Sequence, residues 1–375
     1  MLNKIGGDSV AEVYFADMRA TRKSRNAPSK IAKLMRRAGI EAMIEKEDVV
    51  AIKTHLGEPG NTTFLRPQFL AKVVDVVDRK KGMPFLSDSN TLYRGGRSNA
   101  VDHIRTAVSH GFTYPVINAP VIIGDGLKGK DEVRVDVGLK HFSKVRVSSA
   151  AFYADSIIGV AHFKGHQLTG FGGAIKNIGM GFASRKGKLE MHAEVRPSAK
   201  EDECRACGQC ARFCPVGAIE IRKIAEIDRS KCIGCGECVT TCPYEAMEPG
   251  EMSSSETLQE KIVEYCAGIL KGKEDKCGFI NFLVEFTPHC DCPPWSDASI
   301  VPDVGILASR DMIALDQASV DLINQQRGLE MSRLKKAKEP GEDKIRALTG
   351  VNWEVQLEYG EEIGLGERSY RLIKI

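Results

Sequence analysis

Eight cysteines near the middle of the chain have a spacing that indicates metal chemistry. They form two runs with the same pattern, C-x2-C-x2-C-x3-C followed by proline. Thiolates bind soft transition metals, and a set of four can hold one iron–sulfur cube. The first run is Cys204, Cys207, Cys210 and Cys214, and the second run is Cys232, Cys235, Cys238 and Cys242.

The two runs together predict two [4Fe-4S] clusters whose ligands cross between the runs. Three closely spaced cysteines can bind three irons of a cube, but the chain cannot turn back sharply enough to supply the fourth ligand, which comes from the other run. A structural zinc site needs only C-x2-C pairs and would leave the third and fourth cysteines of each run without a role. We therefore expect one cluster on Cys204, Cys207, Cys210 and Cys242, and a second on Cys232, Cys235, Cys238 and Cys214.

The cysteine region resembles the bacterial two-cluster ferredoxin module. The segment "CPVGAIEI" after the first run is similar to "CPYEAMEP" after the second, so the two halves repeat beyond the cysteines. The resemblance covers residues 200–250 and implies a small α+β unit. Two clusters close in sequence favour a one-electron relay. The alternative is that metal ligation only stabilises a small domain.

The rest of the chain alternates predicted strands and helices, which indicates an α/β fold with a partly parallel sheet flanked by helices. The same alternation continues after the cysteines. We therefore expect the ferredoxin-like unit to be inserted into one discontinuous α/β domain, residues 1–199 and 251–375. The predicted strands are 11–16, 49–57, 83–90, 119–126, 143–149, 154–163, 278–286, 303–309 and 370–375. The predicted helices are 29–40 (with Ser29 as N-cap), 66–82, 99–112, 255–272 and 312–328.

Polar side chains lie at or beyond the ends of three predicted strands. In α/β sheets the carboxyl ends of the strands face the ligand crevice. We therefore expect a shared crevice, although each set taken alone is also typical of a satisfied loop network. The expected cofactor-binding residues are Lys53, His55 and Asp88, and the expected catalytic residues are His162, Lys164 and His166.

The stretch "HFKGHQLTGFGGAIKNIGMG" combines histidine, lysine and glycine. It is not a helical zinc motif, because Phe163 stands where H-E-x-x-H needs glutamate. It is not a dinucleotide loop either, because Ile175 stands where the third glycine belongs. A tight chain reversal and a cationic wall for a small anionic ligand or cofactor remain. For the second, Gly172 and Gly173 would let backbone N–H groups approach the anion, with Lys176 nearby.

A further group of metal-binding side chains, His289, Cys290 and Cys292, follows another predicted strand in "HCDCPPW". Two thiolates separated by one residue can bind one metal ion or form a strained disulfide. We therefore predict an additional metal or redox site here, the alternative being an inert loop with two buried thiols.

The composition argues against several classes of protein. A net charge of +3 disfavours a dedicated nucleic-acid binder. The apolar runs fall short of the roughly 20 residues that a membrane helix needs. The first residues also lack the apolar stretch of a secretory signal. We expect a cytoplasmic protein with a redox partner protein, and neither a nucleic-acid nor a membrane partner.

The chain resembles the iron–sulfur-centre proteins of the domain of unknown function 362 family. The resemblance rests on "KTHLGEPGN", "PFLSDSNTLYRGGR", "HGF", "HFKGHQLTGFGGAIKNIGMG", "NFLVEFTPHCDC" and "DVGILASRDMIALDQASVDL". It spans nearly the whole chain and implies the fold and the clusters rather than a particular reaction. The leading hypothesis is an iron–sulfur electron-transfer protein or oxidoreductase acting on a ligand in the crevice. The alternatives are metal or cofactor delivery, and a non-redox enzyme whose lysine and histidine act as acid and base.

Overall fold

The computed structural model describes residues 10–93, 95–192, 197–214, 216–232, 237–248, 250 and 252–375. The strands are β1 (Ala11–Asp17), β2 (Val49–Lys53), β3 (Met83–Asp88), β4 (Val121–Ile123), β5 (Glu132–Asp136), β6 (Lys144–Ser148), β7 (Ser156–His162), β8 (Lys164–His166), β9 (Gly170–Gly172), β10 (Ser198–Ala199), β11 (Ile219–Ile221), β12 (Ala225–Ile227), β13 (Met247–Glu248), β14 (Cys277–Leu283), β15 (Gly305–Ser309) and β16 (Tyr370–Lys374).

The helices are α1 (Ala27–Arg37), α2 (Pro67–Arg79), α3 (Ala100–Ser109), α4 (Tyr114–Ile117), α5 (Ser149–Tyr153), α6 (Ala174–Gly179), α7 (Arg185–His192), α8 (Gln209–Arg212), α9 (Glu237–Thr241), α10 (Ser255–Leu270), α11 (Met312–Asn324), α12 (Lys344–Thr349) and α13 (Val355–Glu362). Short 3-10 turns lie at Lys23–Arg25 and Glu274–Lys276. Within the described residues, no helix has both the length and the apolar character that crossing a membrane requires.

Eight strands form one large sheet in the order β16-β1-β15-β14-β7-β2-β3-β4. The five neighbours from β14 to β4 are parallel to one another and β1 is parallel to β16, while β15 is antiparallel to both of its neighbours. The predicted α/β fold with a partly parallel sheet is therefore confirmed. Lys53, the last residue of β2, lies opposite Gly159 of β7 and Ser87 of β3, so these three strands end at the same edge.

Apolar side chains cover both faces of the large sheet. Ile52 of β2 shares one buried layer with Leu34 of α1 and Val73 of α2. Its neighbour Ala51 shares the layer on the opposite face with Ile262 of α10. Successive strand residues point to opposite faces, so near-continuous apolar strands such as β2 and β7 are those of a sheet covered by helices on both sides.

Helix α1 begins earlier than predicted. Its N-cap is Asn26, whose side-chain oxygen accepts the backbone N–H of Ser29 at 2.9 Å. The prediction of Ser29 as the cap is wrong. Pro28 fits the first helical turn, where its missing N–H costs nothing, and this allows the helix to start before Ser29.

The chain between α7 and α10 forms a small α+β unit. Strand β10 pairs with β13 and β11 pairs with β12, both antiparallel, and the short helices α8 and α9 carry one cysteine each. Cys210 and Cys238 pack with Ala225 and Met247 in a separate apolar cluster. The β10–β13 pair joins the two ends of the unit, whose boundaries at 200 and 250 stay a prediction.

Candidate functional site

A cavity of about 250 Å³, called the inner cavity below, lies at the carboxyl edge of the large sheet. Four adjacent parallel strands, β14, β7, β2 and β3, end there, and the residues that follow them form its walls. The crevice predicted from the strand ends therefore exists. The predicted residues that line it are Lys53, His55, Asp88, Lys164, His166, Gly172, Gly173, Lys176, Cys290 and Cys292.

The floor of the cavity is a buried ion-pair network. The Nζ atom of Lys53 lies 3.0 Å from the Asp88 carboxylate, and an Nη atom of Arg97 lies 3.4 Å from its other oxygen. Burial alone would raise the pKa of Asp88, but the positive charges around it, that of Lys53 first, hold this pKa well below its usual value. Burial lowers the pKa of Lys53 in turn, and Asp88 opposes that change.

Asp291 forms an ion pair with Lys164, a second lysine that lines the cavity. Its Oδ2 atom lies 3.1 Å from Nζ of Lys164, and its Oδ1 atom lies 3.0 Å from Nδ1 of His162. The Nε2 atom of His162 faces the carbonyl oxygen of Val284 at 3.0 Å, so both ring nitrogens contact oxygen acceptors. His162 therefore lies behind Lys164 and does not share the cavity wall with it, in contrast to the sequence prediction.

The reason for this displacement is a hairpin, which is the tight chain reversal left open by the sequence analysis. After β7 the chain continues through Phe163, which is fully buried, into the antiparallel pair β8–β9. His162 thus ends a strand of the large sheet, while Lys164 and His166 lie on the hairpin. The three residues are not on one continuous strand face.

His166 faces the cavity as a neutral hydrogen-bond donor. Its Nδ1 atom accepts the backbone N–H groups of Leu168 at 3.3 Å and Thr169 at 3.2 Å. Burial, together with the charge of Lys176, lowers the pKa of His166 well below its usual value. A neutral ring whose Nδ1 is an acceptor carries its proton on Nε2. The ring can donate this N–H to a ligand.

Cys292 is the most activated thiol of the cavity. Cys290 donates a hydrogen bond to it, and this bond, together with the nearby His55 and Arg97, lowers the pKa of Cys292 well below its ordinary value in spite of burial. The pKa of Cys290 rises instead, owing to the same hydrogen bond and to burial. The Cys292 sulfur therefore ionises more readily than an ordinary thiol, and the Cys290 sulfur less readily.

Arg97 and Tyr93 connect Cys292 to a buried carboxylate. Arg97 donates through Nε to Glu58 at 2.9 Å and through Nη2 to the Tyr93 hydroxyl, and Tyr93 hydrogen-bonds to Cys292. Burial raises the pKa of Tyr93, so its hydroxyl keeps the proton that it donates to the sulfur. Arg97, which is only 2 % exposed, is thus fixed at both ends of its guanidinium group.

Lys188 and His192 of α7 are among the cavity residues that the sequence analysis missed. The Nζ atom of Lys188 donates to Oγ of Ser89 and to the carbonyl of Asn90, both at 2.6 Å. Burial lowers the pKa of Lys188 to about 8 and that of His192 to about 4. The four-residue spacing places both on one helix face, and this spacing in "KLEMH" is the signal that could have identified them.

The two predicted glycines line the cavity, and the backbone N–H groups that follow them already have a partner. The first backbone N–H groups of α6, those of Ala174 and Ile175, donate to the carboxylate of Asp316 at 2.8 and 3.0 Å. They are thus not available to an anion. A Cβ atom on Gly173 would lie 2.3 Å from Oδ1 of Asp316, so this glycine permits the cap, while Gly172 leaves space beside Lys176.

Lys176 differs from Lys53 and Lys164 in its surroundings. Its side chain is only partly buried. Among the residues that the structure describes, no carboxylate forms an ion pair with it, whereas Lys53 and Lys164 each have one. A positive charge in a cavity without a protein counterion is suited to a ligand anion.

His289 points away from the inner cavity. It contacts Arg333 and the amide of Gln167, and its ring packs edge-on against Trp295 at 5.0 Å. It lines a second cavity of about 330 Å³, whose wall also includes Cys290 and Cys292. In the described part of the chain, no three His, Cys, Asp or Glu side chains are placed to share one metal ion. The additional metal site stays a prediction.

Four cysteines from both runs surround one small cavity in the α+β unit, namely Cys204, Cys207, Cys210 and Cys242. Burial raises the pKa of Cys210, and the neighbouring Cys204 and Cys242 thiols contribute. Each cysteine of a cube binds a different iron, so the four sulfurs need not approach as closely as the ligands of a single ion. This arrangement fits the crossed ligand set expected for the first cluster.

Part of the second predicted ligand set is also described. The Sγ atom of Cys214 accepts the backbone N–H of Ala218 at 3.2 Å, a bond that suits a thiolate bound to a cluster. Cys232 and Cys238 lie in the described chain, and Cys238 is buried on α9. Cys235 lies outside the described residues.

The comparison with protein families agrees with the resemblance seen in the sequence. A model described as domain of unknown function (DUF362) matches residues 50–321. The chain belongs to the DUF362 family. Every inner-cavity residue discussed above lies within the matched span, and so does the α+β unit. A search of curated proteins finds no match for this DUF362 member.

Two solved structures resemble this DUF362 member at low identity. The lactate racemase apoprotein of Thermoanaerobacterium thermosaccharolyticum shares 14 % identity with a TM-score of 0.42, covering 79 % of this chain and 56 % of the racemase. A Thermotoga maritima protein from the Northeast Structural Genomics Consortium shares 10 % identity with a TM-score of 0.33, covering 91 % of this chain and 59 % of that protein. The chain thus spans less than two thirds of either protein.

Proposed function

We propose that this protein is an iron–sulfur oxidoreductase in which two [4Fe-4S] clusters exchange electrons with a small anionic ligand in the inner cavity. Bound clusters would each give or accept one electron. The residues to hold them are the two crossed sets of four cysteines. The first set fits, because its four members line one cavity although they come from both runs.

The observation that carries the proposal is the contact between α9 and α7. Helix α9 bears Cys238 of the second run, and α7 bears Lys188 and His192, which line the inner cavity. The chain also enters and leaves the α+β unit beside the cavity, because the backbone N–H of Ser253 donates to the carbonyl of His192 at 2.8 Å. A cluster bound by the second run would adjoin the helix that forms the cavity wall.

The cavity residues bind and orient the ligand. Lys176 supplies a cation that pairs with no carboxylate of the described residues, and Lys164 is held in place by Asp291. His166 offers its Nε2–H as a neutral donor, so it can stabilise negative charge on the ligand without accepting a proton itself. The low exposure of Lys53 and Arg97 excludes water from the floor and strengthens these interactions.

Anaerobic potentiometric titration followed by electron paramagnetic resonance (EPR) tests the redox part of the proposal. We expect both clusters to be reduced reversibly while the protein stays folded. If the clusters cannot be reduced at any accessible potential without unfolding, the proposed electron transfer is wrong, and the clusters have only a structural role.

Sulfate binding, measured by isothermal titration calorimetry, tests the ligand part. The variant with both Lys164→Ala and His166→Ala should bind sulfate at least about tenfold more weakly, since it loses one charged and one neutral hydrogen bond. Lys33→Met removes an exposed lysine of α1 and serves as the matched control, with unchanged sulfate affinity expected. Equal affinity in the double variant and the wild type would remove the ligand site from the cavity.

A further inference from the structure

Cys290 and Cys292 lie where the two cavities meet. Both thiols line the inner cationic cavity and also the second cavity, which is bounded by His289 and Trp295. Neither cysteine is fully buried. A molecule in either cavity can therefore reach the sulfur atoms, unlike those of Cys266 and Cys277, which are buried in the core.

The hydrogen bonds around the pair give the two sulfurs different roles. Cys292 accepts from Nε2 of His55 at 3.5 Å, and Tyr93 and Cys290 line the same cavity beside it. The Nδ1 atom of His55 accepts the Gly57 N–H at 3.1 Å, which leaves the ring proton on Nε2. The N–H that His55 directs at this sulfur stabilises negative charge on Cys292, and no such donor contact is found at Cys290 among the described residues.

A thiolate next to a thiol is the arrangement that carries out thiol–disulfide exchange. The surrounding positive charges select the partner, because Lys164, Lys176 and Arg97 line the same cavity as Cys292. A sulfur–sulfur bond is the electrophile that such a pair attacks, and a negative charge on the molecule that carries it would be attracted into the cavity.

We propose that Cys290 and Cys292 form a dithiol–disulfide couple that reduces small anionic disulfides and is itself reduced by electrons from the clusters. This inference rests on the proposed function for the source of the electrons. It assigns the nucleophile to Cys292 and the resolving thiol to Cys290, and it identifies the substrate class by its charge and its sulfur–sulfur bond.

The reaction balances in two stages. The Cys292 thiolate attacks one substrate sulfur and breaks the substrate S–S bond. One half leaves and takes a proton from solvent, while the other half stays on Cys292 as a mixed disulfide. The Cys290 sulfur then attacks Cys292, forming the Cys290–Cys292 disulfide, and its proton goes to the departing second half. Two electrons and one proton afterwards open this disulfide and restore the thiolate and the thiol.

The experiment uses the full-length protein with its clusters, kept anaerobic, and dithiodiglycolate, a small dianionic disulfide, as the probe. After reaction, alkylation and mass spectrometry of the peptide containing both cysteines should show a Cys290–Cys292 cross-link. In Cys290→Ser the reaction should stop at a thioglycolate adduct on Cys292. If neither the cross-link nor the adduct forms, the couple is wrong.

The expected preference for anionic over cationic disulfides is tested with a second probe in the same experiment. Cystamine, a dicationic disulfide, should react at least about tenfold more slowly than dithiodiglycolate, the equivalent of about 1.4 kcal/mol. Lys176→Met should reduce this preference, whereas Lys33→Met should retain it. Equal rates for the dianion and the dication in the wild type would overturn the assigned substrate class.

Reduction of the cross-linked protein by dithionite separates this inference from the proposed function. If the Cys290–Cys292 disulfide reopens once the clusters are reduced, the result supports both the proposed thiol couple and the proposed electron transfer. A cross-link that forms with the probe but stays closed while the clusters are reduced overturns reduction of the thiol pair by the clusters and leaves the proposed function standing. Clusters that cannot be reduced, in protein whose cross-link still forms, overturn the proposed function and not the exchange at the thiol pair.

Discussion

The Nε2 atom of His55 lies 3.5 Å from the Sγ atom of Cys292, and the other nitrogen of the ring accepts a backbone N–H, which fixes this orientation. His55 follows β2 and Cys292 follows β14, so the contact joins loops beyond two strands that are separated by β7 in the sheet. The contact forms because the parallel strands end at a common edge. The reactivity of Cys292 therefore depends on a residue from another strand end.

Alkylation rates test this relationship. At pH 7 Cys292 should react with iodoacetamide faster than Cys290, because the pKa of Cys292 is lowered and that of Cys290 is raised. His55→Ala and Tyr93→Phe each remove one donor to the sulfur and should shift the pH dependence of Cys292 alkylation to higher pH. Mass spectrometry of the shared peptide measures both sites. A faster reaction at Cys290 in the wild type would contradict this assignment.

Anion binding should depend on pH through Lys188, whose pKa in the folded protein is about 8. Below pH 8 the side chain is charged and attracts the anion, and above it the charge is lost. The dissociation constant for sulfate should therefore increase with pH between 7 and 9, by at most about tenfold per pH unit. The Lys188→Met variant should bind sulfate more weakly at pH 7, and its dissociation constant should not increase in this way between pH 7 and 9. The same pH profile in variant and wild type would show that Lys188 does not face the ligand.

Crossed ligation predicts a specific pattern of iron loss. Cys204→Ser and Cys242→Ser should each impair the same cluster, so the double variant should lose no more iron than either single variant. Cys232→Ser combined with Cys242→Ser should instead impair both clusters, although the two cysteines belong to one run. Iron analysis of anaerobically purified variants measures this. If the iron loss is instead additive in the double variant of Cys204 and Cys242, and no greater in the double variant of Cys232 and Cys242 than in either single variant, each run binds its own cluster.

The ion-pair floor should make a large contribution to stability. Asp88→Asn removes the carboxylate that faces Lys53 and Arg97 and leaves two buried cations without it, at an expected cost of about 3–5 kcal/mol. Asp136→Asn removes an exposed partner of Lys144 and should cost under about 1 kcal/mol. Denaturant unfolding under anaerobic conditions compares the two variants. Similar small losses of unfolding free energy in both variants would show that the buried ion pairs contribute little to stability.

The same carboxylate determines a pH effect. The pKa of Asp88 is lower in the folded than in the unfolded protein, so its contribution to stability is present at neutral pH and is lost as the pH falls below the unfolded value towards the folded one. The acid side of the stability profile should thus be less steep in Asp88→Asn. An equally steep profile would assign acid unfolding to other groups.

The sequence identified the parts of the site that follow from strand ends. Lys53, Asp88 and Cys292 were predictable because parallel strands place their following residues at one edge, whatever the loops do in detail. Lys188 and His192 were missed because they lie on a short helix after a glycine-rich loop. Their four-residue spacing places them on one helix face, but it does not show that this helix packs over the crevice.

The remaining differences come from contacts between distant segments. His162 faces Asp291, 129 residues later in the chain, and the first N–H groups of α6 are satisfied by Asp316 of α11. Asp316 thus caps a helix other than the one to which it belongs. Local sequence indicates which groups need a partner and does not say which segment supplies it.

The most direct test of the account follows two electrons inside one molecule. Protein carrying the Cys290–Cys292 disulfide is mixed anaerobically with two electron equivalents of dithionite, and samples are frozen at intervals for EPR and alkylated in parallel. If electrons pass from the clusters to the disulfide, the signal of a reduced cluster appears and then decays, at a rate independent of protein concentration, while both thiols become alkylatable. A cluster signal that persists while the disulfide stays closed would contradict this electron transfer.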